Sequence, residues 1–474
     1  MDRLTIAMVS DFFLPNVGGV ESHISMLAAN LIKRGHKVIV ITHWHPPSRV
    51  GVRWLSPGLK VYHIPLRSIA SSATLPDFFC FLPYFRTIVL REGIQLVHGH
   101  ASLSSMAHEA ILHAHHLGVR TVFTDHSLFG FDDAASILTN KLLEGALRNV
   151  DRTICVSHTG RENTVLRARL LPETTYVIPN SLAPDQFRPR DEGHSVETVT
   201  IVVVSRLAYR KGIDLLIAVA PQICKRFPDV SFIIGGDGPK MIDLLQMREK
   251  YSLQDRIQLL GSIKPADVRD VLTRGQIFLN TSLTESFGIA TLEAACAGLY
   301  VVSTRVGGVP EILPLGKTED FVGIEEQEEG MIMFADPEED DLVQAISRAI
   351  QHVVSGLHSP QKAHDRVKNF YTWHDITERT ERVYEDVMSS RPYDFWTRVQ
   401  RNMSMGPFFG PIFTVIFFVD CLFYAYLEWW LPREDVERSY GRWSFATFGE
   451  ALACGEAAPC TENIDNPVSA PQEL

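Results

Sequence analysis

The sequence predicts an α/β protein with two tandem Rossmann-like domains and a C-terminal transmembrane helix. Short runs rich in Val, Ile and Leu alternate with segments of helical periodicity, which is the pattern of buried parallel strands and their crossover helices. This alternation stops at the polar stretch 188–197 and then begins again. One apolar segment near the C-terminus is long enough for a membrane helix. The chain therefore divides into two sheets and one membrane element.

The first domain is predicted over residues 1–185. It begins with an apolar run at Leu4–Val9, and apolar residues then recur at helical spacing from Val20 to Leu31. A second run at Val38–Thr42 completes a βαβ unit, so these two strands are expected to be parallel. Three further short apolar runs predict other strands of this sheet: Leu96–His98, Val122–Thr124 and Thr153–Val156.

The second domain is predicted over residues 198–385. Two helical segments, Asp340–Val353 and Asp375–Val387, are expected to close it. Ligands of such sheets bind at the carboxyl ends of the strands, so the cleft between the two domains is the expected site. Five strand-like runs alternate with helical segments through this domain: Thr200–Ser205, Val230–Gly235, Ile257–Leu260, Ile277–Asn280 and Tyr300–Ser303.

Residues 407–431 form an apolar segment of a different kind. At about 1.5 Å per residue this helix would span a bilayer core of roughly 30 Å, and Trp429 with Trp430 suit the interface. A buried or interfacial hairpin is the alternative. Asp420 costs about 2.5–3.5 kcal/mol on insertion scales, which predicts a contact with a partner helix. No secretory signal precedes the first strand, so the two domains are expected in the cytosol and the tail 432–474 in the lumen.

The charge and the cysteine content exclude some classes of function. A net charge of −11 argues against a protein that coats nucleic acid. Seven cysteines are scattered without the close spacing of a zinc or redox motif, which predicts reduced thiols in the body of the protein. Cys454 and Cys460 follow the membrane segment, and their redox state stays open.

Two carboxylates eight residues apart, Glu285 and Glu293, are the strongest candidates for a binding site. Glu285 follows the predicted strand at Ile277–Asn280, and Glu293 lies about two turns into a helix predicted to begin near Phe287. Loop amides and a helix N-terminus therefore point towards the same place as Glu285, which suits a diphosphate that carries a sugar. A solvated helix surface is the alternative for a carboxylate pair taken alone.

Basic and glycine residues follow other predicted strands. Arg206 and Lys211 lie five residues apart across a strand-to-helix turn, where both can neutralise a diphosphate leaving group. Gly18-Gly19 and Gly236 follow predicted strands, in turns where the backbone can approach a ligand closely. Taken singly, each of these turns is also explained by an ordinary loop.

His126 follows the strand at Val122–Thr124 and is predicted to face the cleft. A histidine there can touch the sugar or the attacking alcohol, although a structural role is equally common. His98 and His100 also lie at a strand end and are expected to matter less. No spacing of His, Cys and carboxylate residues predicts a metal site, and no serine nucleophile motif occurs.

Taken together, these motifs resemble those of the retaining glycosyltransferases of family 4, which have the GT-B fold. A glycine loop, a basic turn and Glu-x7-Glu occur in this order, and the resemblance covers about residues 1–390. The chain is most similar to the branch of that family that begins glycosylphosphatidylinositol (GPI) synthesis, and its apolar C-terminal segment is similar too. Four segments carry this narrower resemblance: Thr-Val-Phe-Thr-Asp-His-Ser-Leu-Phe-Gly-Phe (121–131), Ser-Arg-Leu-Ala-Tyr-Arg-Lys-Gly-Ile-Asp (205–214), Phe-Leu-Asn-Thr-Ser-Leu-Thr-Glu (278–285) and Val-Val-Ser-Thr-Arg-Val-Gly-Gly-Val-Pro-Glu (301–311).

The resemblance implies a reaction and its substrates. N-acetylglucosamine would move from UDP-N-acetylglucosamine to an inositol hydroxyl of phosphatidylinositol, with retained configuration, as the first step of GPI-anchor biosynthesis. The resemblance also implies no metal ion or other cofactor, a place on the cytosolic face of the endoplasmic reticulum membrane, and partner subunits in a membrane complex. Three rivals are considered: another family 4 transferase with a lipid or sugar acceptor, a UDP-sugar epimerase, and a catalytically silent scaffold. The scaffold is disfavoured because a protein that had lost activity would also lose its charged site residues, whereas Arg206, Lys211, Glu285 and Glu293 are all present.

The resemblance further implies a role for each motif. Arg206 and Lys211 would hold the diphosphate. Glu285 would contact the sugar, with a role as base left open, and Glu293 would accept hydrogen bonds from the ribose. His126 would line the sugar pocket. Six further residues would bring the backbone close to the substrates: Gly18, Gly19, Gly236, Phe287, Gly288 and Ile289.

Overall fold

Two sheets, each built mainly from parallel strands, form the body of the protein, as predicted. Residues 440–474 of the predicted tail lie outside the described residues, and so do residues 191–197 of the polar stretch between the domains. The computed structural model describes residues 3–16, 18–56, 58–69, 73–130, 134–190, 198–313 and 331–439.

Within the described residues, the first sheet has eight strands. In chain order they are β1 (Thr5–Val9), β2 (Lys37–His43), β3 (Gly51–Ser56), β4 (Leu59–Ile64), β5 (Leu96–His100), β6 (Arg120–Asp125), β7 (Arg152–Cys155) and β8 (Thr175–Val177). They lie side by side in the order β3-β4-β2-β1-β5-β6-β7-β8, and β3 is antiparallel to β4. The helices of this domain are α1 (Gly19–Lys33), α2 (Phe78–Glu92), α3 (Ser105–Ala114), α4 (Ala134–Leu147) and α5 (His158–Ala168).

In the part of the chain that the structure describes, the second sheet has six strands in the order β11-β10-β9-β12-β13-β14, all parallel. These are β9 (Val199–Val204), β10 (Val230–Gly235), β11 (Ile257–Gly261), β12 (Ile277–Asn280), β13 (Tyr300–Thr304) and β14 (Ile332–Ala335). Its helices are α6 (Ile213–Arg226), α7 (Met241–Lys250), α8 (Val268–Leu272), α9 (Ile289–Cys296), α10 (Glu339–Val354) and α11 (Pro360–Val367). The strand order reverses between β9 and β12, which is where such sheets bind ligands.

The apolar runs of the sequence correspond to strands that are buried on both faces. Every residue of β1 and β2 is buried, because helices cover both sides of the first sheet. Each fully buried Val, Ile or Leu contributes about 1.5–3 kcal/mol to the hydrophobic free energy of folding. The edge strand β3 was not predicted, since most of its residues are exposed or half-buried and the apolar signal is weak.

Helix α12 (Trp373–Ser389) returns from the second domain to the first. Its apolar face packs in the same core as β1 and α1, and the Tyr384 hydroxyl lies 2.8 Å from Nδ1 of His98. Glu381 on the same helix forms an ion pair of 2.7 Å with Arg34. The expectation that Asp375–Val387 closes the second domain is therefore corrected, because sequence order does not reveal which sheet an apolar face will cover.

The predicted apolar helix is present as α14 (Phe409–Trp430), and α13 (Phe395–Met403) precedes it. By length and composition α14 is able to cross a membrane. Its Asp420 carboxylate lies 2.8 Å from Nδ1 of His113 and 2.9 Å from Nε2 of His116, both in the first domain. The partner predicted for Asp420 in another helix of a complex is therefore found in the same chain.

Candidate active site

A cavity of about 130 Å³ opens where β9 and β12 end, at the reversal of strand order. Residues 203–206 and 278–281 form two of its walls. Lys211, Glu285 and Gly288 complete the lining together with residues from the start of α9. The predicted basic turn and the first predicted carboxylate therefore meet in one cavity, as the strand-end argument requires.

Lys211 and Glu285 form an ion pair inside this cavity. The turn that carries Lys211 is fixed by Thr281, whose hydroxyl donates to the Lys211 carbonyl at 2.9 Å. Glu285 also accepts a hydrogen bond of 3.3 Å from the Ser282 hydroxyl. The two side chains are 32% and 16% exposed, so an entering anion can reach the ammonium group and compete with the carboxylate for it.

The glycine loop of the first domain lies opposite this cavity. A Cβ atom on Gly19 would lie 4.0 Å from Cγ2 of Ile289 at the start of α9, so the loop faces the second domain. A Cβ atom on Gly18 would lie 2.5 Å from a carboxylate oxygen of Glu21, which sequence reasoning missed. Burial raises the pKa of Glu21, although its own backbone amide and the positive charge of Arg206 act in the opposite direction.

The other glycines and Phe287 shape the site in different ways. A Cβ atom on Gly236 would lie 1.8 Å from the carbonyl oxygen of Ser205, so Gly236 allows two backbones to pack together behind the cavity wall. Gly288 precedes α9 with a φ of 87°, a conformation that favours glycine. The Phe287 side chain is buried in the core of the second domain, which leaves its backbone for a ligand.

Glu293 is the fifth residue of α9 and is half-buried. The helix begins at Ile289 rather than near Phe287, so Glu293 lies about one turn into it and not two. Burial raises the pKa of this carboxyl to about 7. Near neutral pH the group is therefore partly protonated, and it can both accept and donate a hydrogen bond.

The loop that carries Glu285 also joins the two domains. The Ser286 hydroxyl donates to the His126 carbonyl at 2.5 Å, and the Ser157 hydroxyl donates to the Ser286 carbonyl at 2.6 Å. Glu311 accepts a hydrogen bond from the Thr159 amide at the start of α5, at 2.9 Å. Sequence reasoning missed these contacts, although Glu311 ends one of the segments that carry the family resemblance.

Three histidines of the first domain gather at the cleft. The ring nitrogens of His23, His100 and His126 lie within 4.8 Å of one another. Burial lowers the pKa of all three, that of His126 to about 3, so they are neutral at physiological pH. The structure thus groups His100 with His126, and the expectation that His100 matters less stays a prediction. Neutral imidazoles at this separation are able to hold a transition-metal ion or to accept hydrogen bonds from a polyol.

Comparison with known proteins decides the family. The family described as PIGA (GPI anchor biosynthesis) matches residues 43–133, and Glycosyl transferases group 1 matches residues 185–363. The phosphatidylinositol N-acetylglucosaminyltransferase gpi3 subunit of Schizosaccharomyces pombe is 51% identical, over 92% of each chain. The chain belongs to this family. The human member, which is also named for this transferase, is 49% identical over 91% of this chain and 86% of its own length.

Solved structures of other proteins share the fold. Sucrose-phosphate synthase from Thermosynechococcus elongatus superposes with a TM-score of 0.65 at 19% identity, over 82% of this chain and 100% of that one. The Anabaena protein Alr3699/HepE in complex with UDP-glucose gives 0.61 at 16% identity, with the same coverage. The GT-B fold predicted from the motifs is thereby confirmed, and this member of the family is a glycosyltransferase.

Proposed function

We propose that this family member transfers N-acetylglucosamine from UDP-N-acetylglucosamine to an inositol hydroxyl of phosphatidylinositol, with retained anomeric configuration. The observation that carries this proposal is the cavity in which Arg206, Lys211 and Glu285 meet at the end of β9 and β12. The family supports the choice of acceptor and of sugar, because relatives that match more than nine-tenths of this chain are named as subunits of a phosphatidylinositol N-acetylglucosaminyltransferase. The reaction is the first step of GPI-anchor biosynthesis.

The charges in the cavity suit a reaction whose leaving group is a diphosphate. As the bond between the sugar and the diphosphate breaks, negative charge grows on the leaving oxygen, and Arg206 and Lys211 are placed to stabilise it. Glu285 holds the Lys211 ammonium in place and offers a carboxylate to the sugar hydroxyls. Glu293 offers a partly ionised carboxyl to the ribose. Same-face attack by the inositol hydroxyl then needs positioning and charge stabilisation rather than a protein nucleophile.

The proposed setting is the cytosolic face of the endoplasmic reticulum membrane. The relatives are named as subunits, which supports a complex with other chains, and the net charge gives no support for a nucleic-acid partner. The expectation of a single membrane crossing by residues 407–431 stays a prediction. The proposal includes no metal ion or other cofactor, so transfer should survive treatment with EDTA.

The test is transfer of radiolabelled N-acetylglucosamine to phosphatidylinositol in membranes that contain the full chain. We expect Lys211→Ala to lower kcat by about 10²–10³-fold, because one charged donor to the leaving group is lost. Lys240→Ala is the matched control, since Lys240 pairs with Asp214 and Asp243 away from the cavity. Wild-type transfer by both Lys211→Ala and Glu293→Ala would refute the assigned site. Epimer formation from the donor alone, or preference for another acceptor, would refute the assigned reaction.

A further inference from the structure

Three histidines from separate elements of the first domain meet at the cleft. His100 is the last residue of β5, and His126 directly follows β6, the next strand of the sheet. His23 lies in the second turn of α1, which begins at the same edge of the sheet because it follows β1. No regular spacing in the sequence relates these positions, and the fold alone brings them together. We call His23, His100 and His126 the histidine cluster.

The histidine cluster differs from the neighbouring His98 in its hydrogen bonds. Both ring nitrogens of His98 have partners, the Tyr384 hydroxyl at 2.8 Å and the Thr124 hydroxyl at 2.7 Å. Among the described residues, Nδ1 of His23 and Nε2 of His100 have no hydrogen-bond partner, although both atoms are buried. Nearly all buried polar atoms of folded proteins have a partner, so these two nitrogens indicate a ligand.

The separations within the histidine cluster suit a shared metal ion. Nδ1 of His100 lies 3.4 Å from Nε2 of His126, which is long for a hydrogen bond. One nitrogen from each of the three rings lies within 4.8 Å of the other two. A tetrahedral zinc ion that binds imidazole nitrogens at about 2.0–2.1 Å holds them about 3.3 Å apart. One pair therefore already has the required separation, and a small rotation of the third ring, that of His23, completes the set.

The ligand types of the histidine cluster select the kind of metal. The cluster offers three imidazoles, and among the described residues no carboxylate belongs to it, so Mg²⁺, Ca²⁺ and Mn²⁺ are disfavoured. Burial and the neighbouring imidazoles lower the pKa of all three histidines, so their lone pairs are free for an ion at neutral pH. Three histidines with one open position are an arrangement that holds zinc in enzymes.

We propose that His23, His100 and His126 bind a zinc ion on the first-domain wall of the cleft. His23 and His100 are buried, whereas His126 is half-buried, so the fourth position of the ion opens on the side of His126. The His126 carbonyl accepts a hydrogen bond from Ser286, the residue after Glu285, which places the ion beside the cavity that Glu285 lines. A water molecule or a substrate hydroxyl would fill the fourth position.

Zinc in this position should inhibit transfer. The ion occupies a ring nitrogen of His126, whose side chain is predicted to line the sugar pocket, and it fills space at the wall of the cleft. Removal of the ion by EDTA should therefore restore activity, in agreement with the expectation that transfer survives EDTA. This inhibition rests on the proposed function, whereas the binding of zinc to the histidine cluster does not.

The first test measures bound zinc without any assay of transfer. The full chain is purified in detergent through a tag that contains no histidine, treated with EDTA and dialysed against micromolar zinc. We expect the wild type to retain one more zinc ion per chain than His23→Gln or His100→Gln, because a glutamine amide is a poor ligand for zinc. His374→Gln is the matched control, since the His374 side chain is 71% exposed and lies outside the histidine cluster.

Two measurements on the wild type control for variants that lose zinc because they do not fold. Co²⁺ in place of zinc should give the visible absorption of a tetrahedral site, and zinc should raise the unfolding midpoint in a way that EDTA reverses. The absence of both signals from the wild type would overturn the proposal. Equal zinc contents in the wild type and the cluster variants, or an equal loss of zinc in His374→Gln, would overturn it as well.

The second test adds zinc to the transfer assay. We expect zinc to inhibit the wild type and EDTA to restore its rate. The inhibition constant of zinc for His23→Gln, measured against the zinc-free rate of that variant, should rise by about tenfold or more, because loss of a ligand costs at least as much affinity as loss of a group that only orients one. Zinc that binds to the cluster without inhibiting would overturn its placement beside the sugar site. A zinc-free wild type that transfers no sugar would instead refute the proposed function and leave the binding result unaffected.

Discussion

Two sets of paired charged residues in this glycosyltransferase differ in solvent exposure. The difference distinguishes a pair that is available to a ligand from a set that stabilises the fold. In the cavity, the paired side chains of Lys211 and Glu285 are 32% and 16% exposed. In the first domain, Glu92 is fully buried and pairs with Lys37 at 2.8 Å and with Lys60 at 2.9 Å. An exposed pair can exchange a partner for a ligand at small cost, whereas breaking a buried pair leaves a charge in a medium of low dielectric. Exposure therefore identifies which ion pairs are available to a substrate.

Replacement of Glu92 by Ala should remove the carboxylate of the buried ion pairs and cause the largest loss of stability among these variants. Lys37 and Lys60 would remain in a buried site without this carboxylate, which costs about 3–5 kcal/mol of the free energy of unfolding. Chemical or thermal unfolding of the purified chain measures the loss. The matched control is Glu249→Ala, an exposed position on α7, with an expected change below about 0.5 kcal/mol. Equal stability of the two variants would contradict the comparison.

Alkaline pH should loosen the buried contacts of α14. Burial opposes a charge on His113, but hydrogen bonds to Asp420 and Glu109 raise its pKa to about 9. Asp420 raises the pKa of His116 in the same way, against the effect of burial. A raised pKa stabilises the folded state fully below the unfolded value near 6.5, and this stability is lost as the pH rises through about 9. The expected loss for His113 is about 3 kcal/mol.

The measurement is the unfolding midpoint between pH 6 and pH 10. His113→Gln should remove much of the decrease in this midpoint at alkaline pH, because the residue that releases the proton is absent. Parallel pH profiles for the variant and the wild type would show that other groups cause this decrease in stability.

Glu293, which is proposed to bind the ribose, extends this comparison because burial raises the pKa of its carboxyl to about 7. If the ionised form accepts the ribose hydroxyls, protonation below pH 7 should weaken donor binding. We expect KM for UDP-N-acetylglucosamine to rise by up to about tenfold per pH unit below 7, the limit for one proton. Steady-state kinetics from pH 5.5 to pH 8 measure this dependence. Glu293→Gln should show a higher KM that varies little with pH, and a profile like that of the wild type would exclude the role.

Ser286→Ala should have the smallest effect. It removes the hydrogen bond from this hydroxyl to the His126 carbonyl and costs about 0.5–1.5 kcal/mol of the free energy of unfolding. The backbone carbonyl of Ser286 keeps its contact with Ser157, so the domains should remain joined. Ser262→Ala, at an exposed position, is the control. A loss above about 3 kcal/mol would show that this loop holds the domains together more strongly than one hydrogen bond explains.

The residues of the site that could be predicted are those whose positions follow from a short local sequence pattern. Lys211 and Glu285 follow neighbouring strands of one parallel sheet, and an apolar run with a turn behind it is enough to place both at the same edge. The start of α9 was less predictable, because Gly288 takes a positive φ and delays the helix beyond the point that the apolar pattern suggests. The grouping of His23 with His126 had no signal, since the two lie on α1 and after β6 with no characteristic spacing.

The sequence by itself determined the two α/β domains, the charged strand ends and an apolar helix within residues 407–431, because each depends on local periodicity and composition. The tertiary structure decided which surfaces these elements cover. It placed α12 on the first sheet, tied Ser286 to His126 across the cleft, and paired Asp420 with His113. These contacts join residues far apart in the chain, and their energy depends on burial and complementary geometry that no local pattern records. For that reason the apolar composition of α14 was visible in the sequence, while its attachment to the first domain was not.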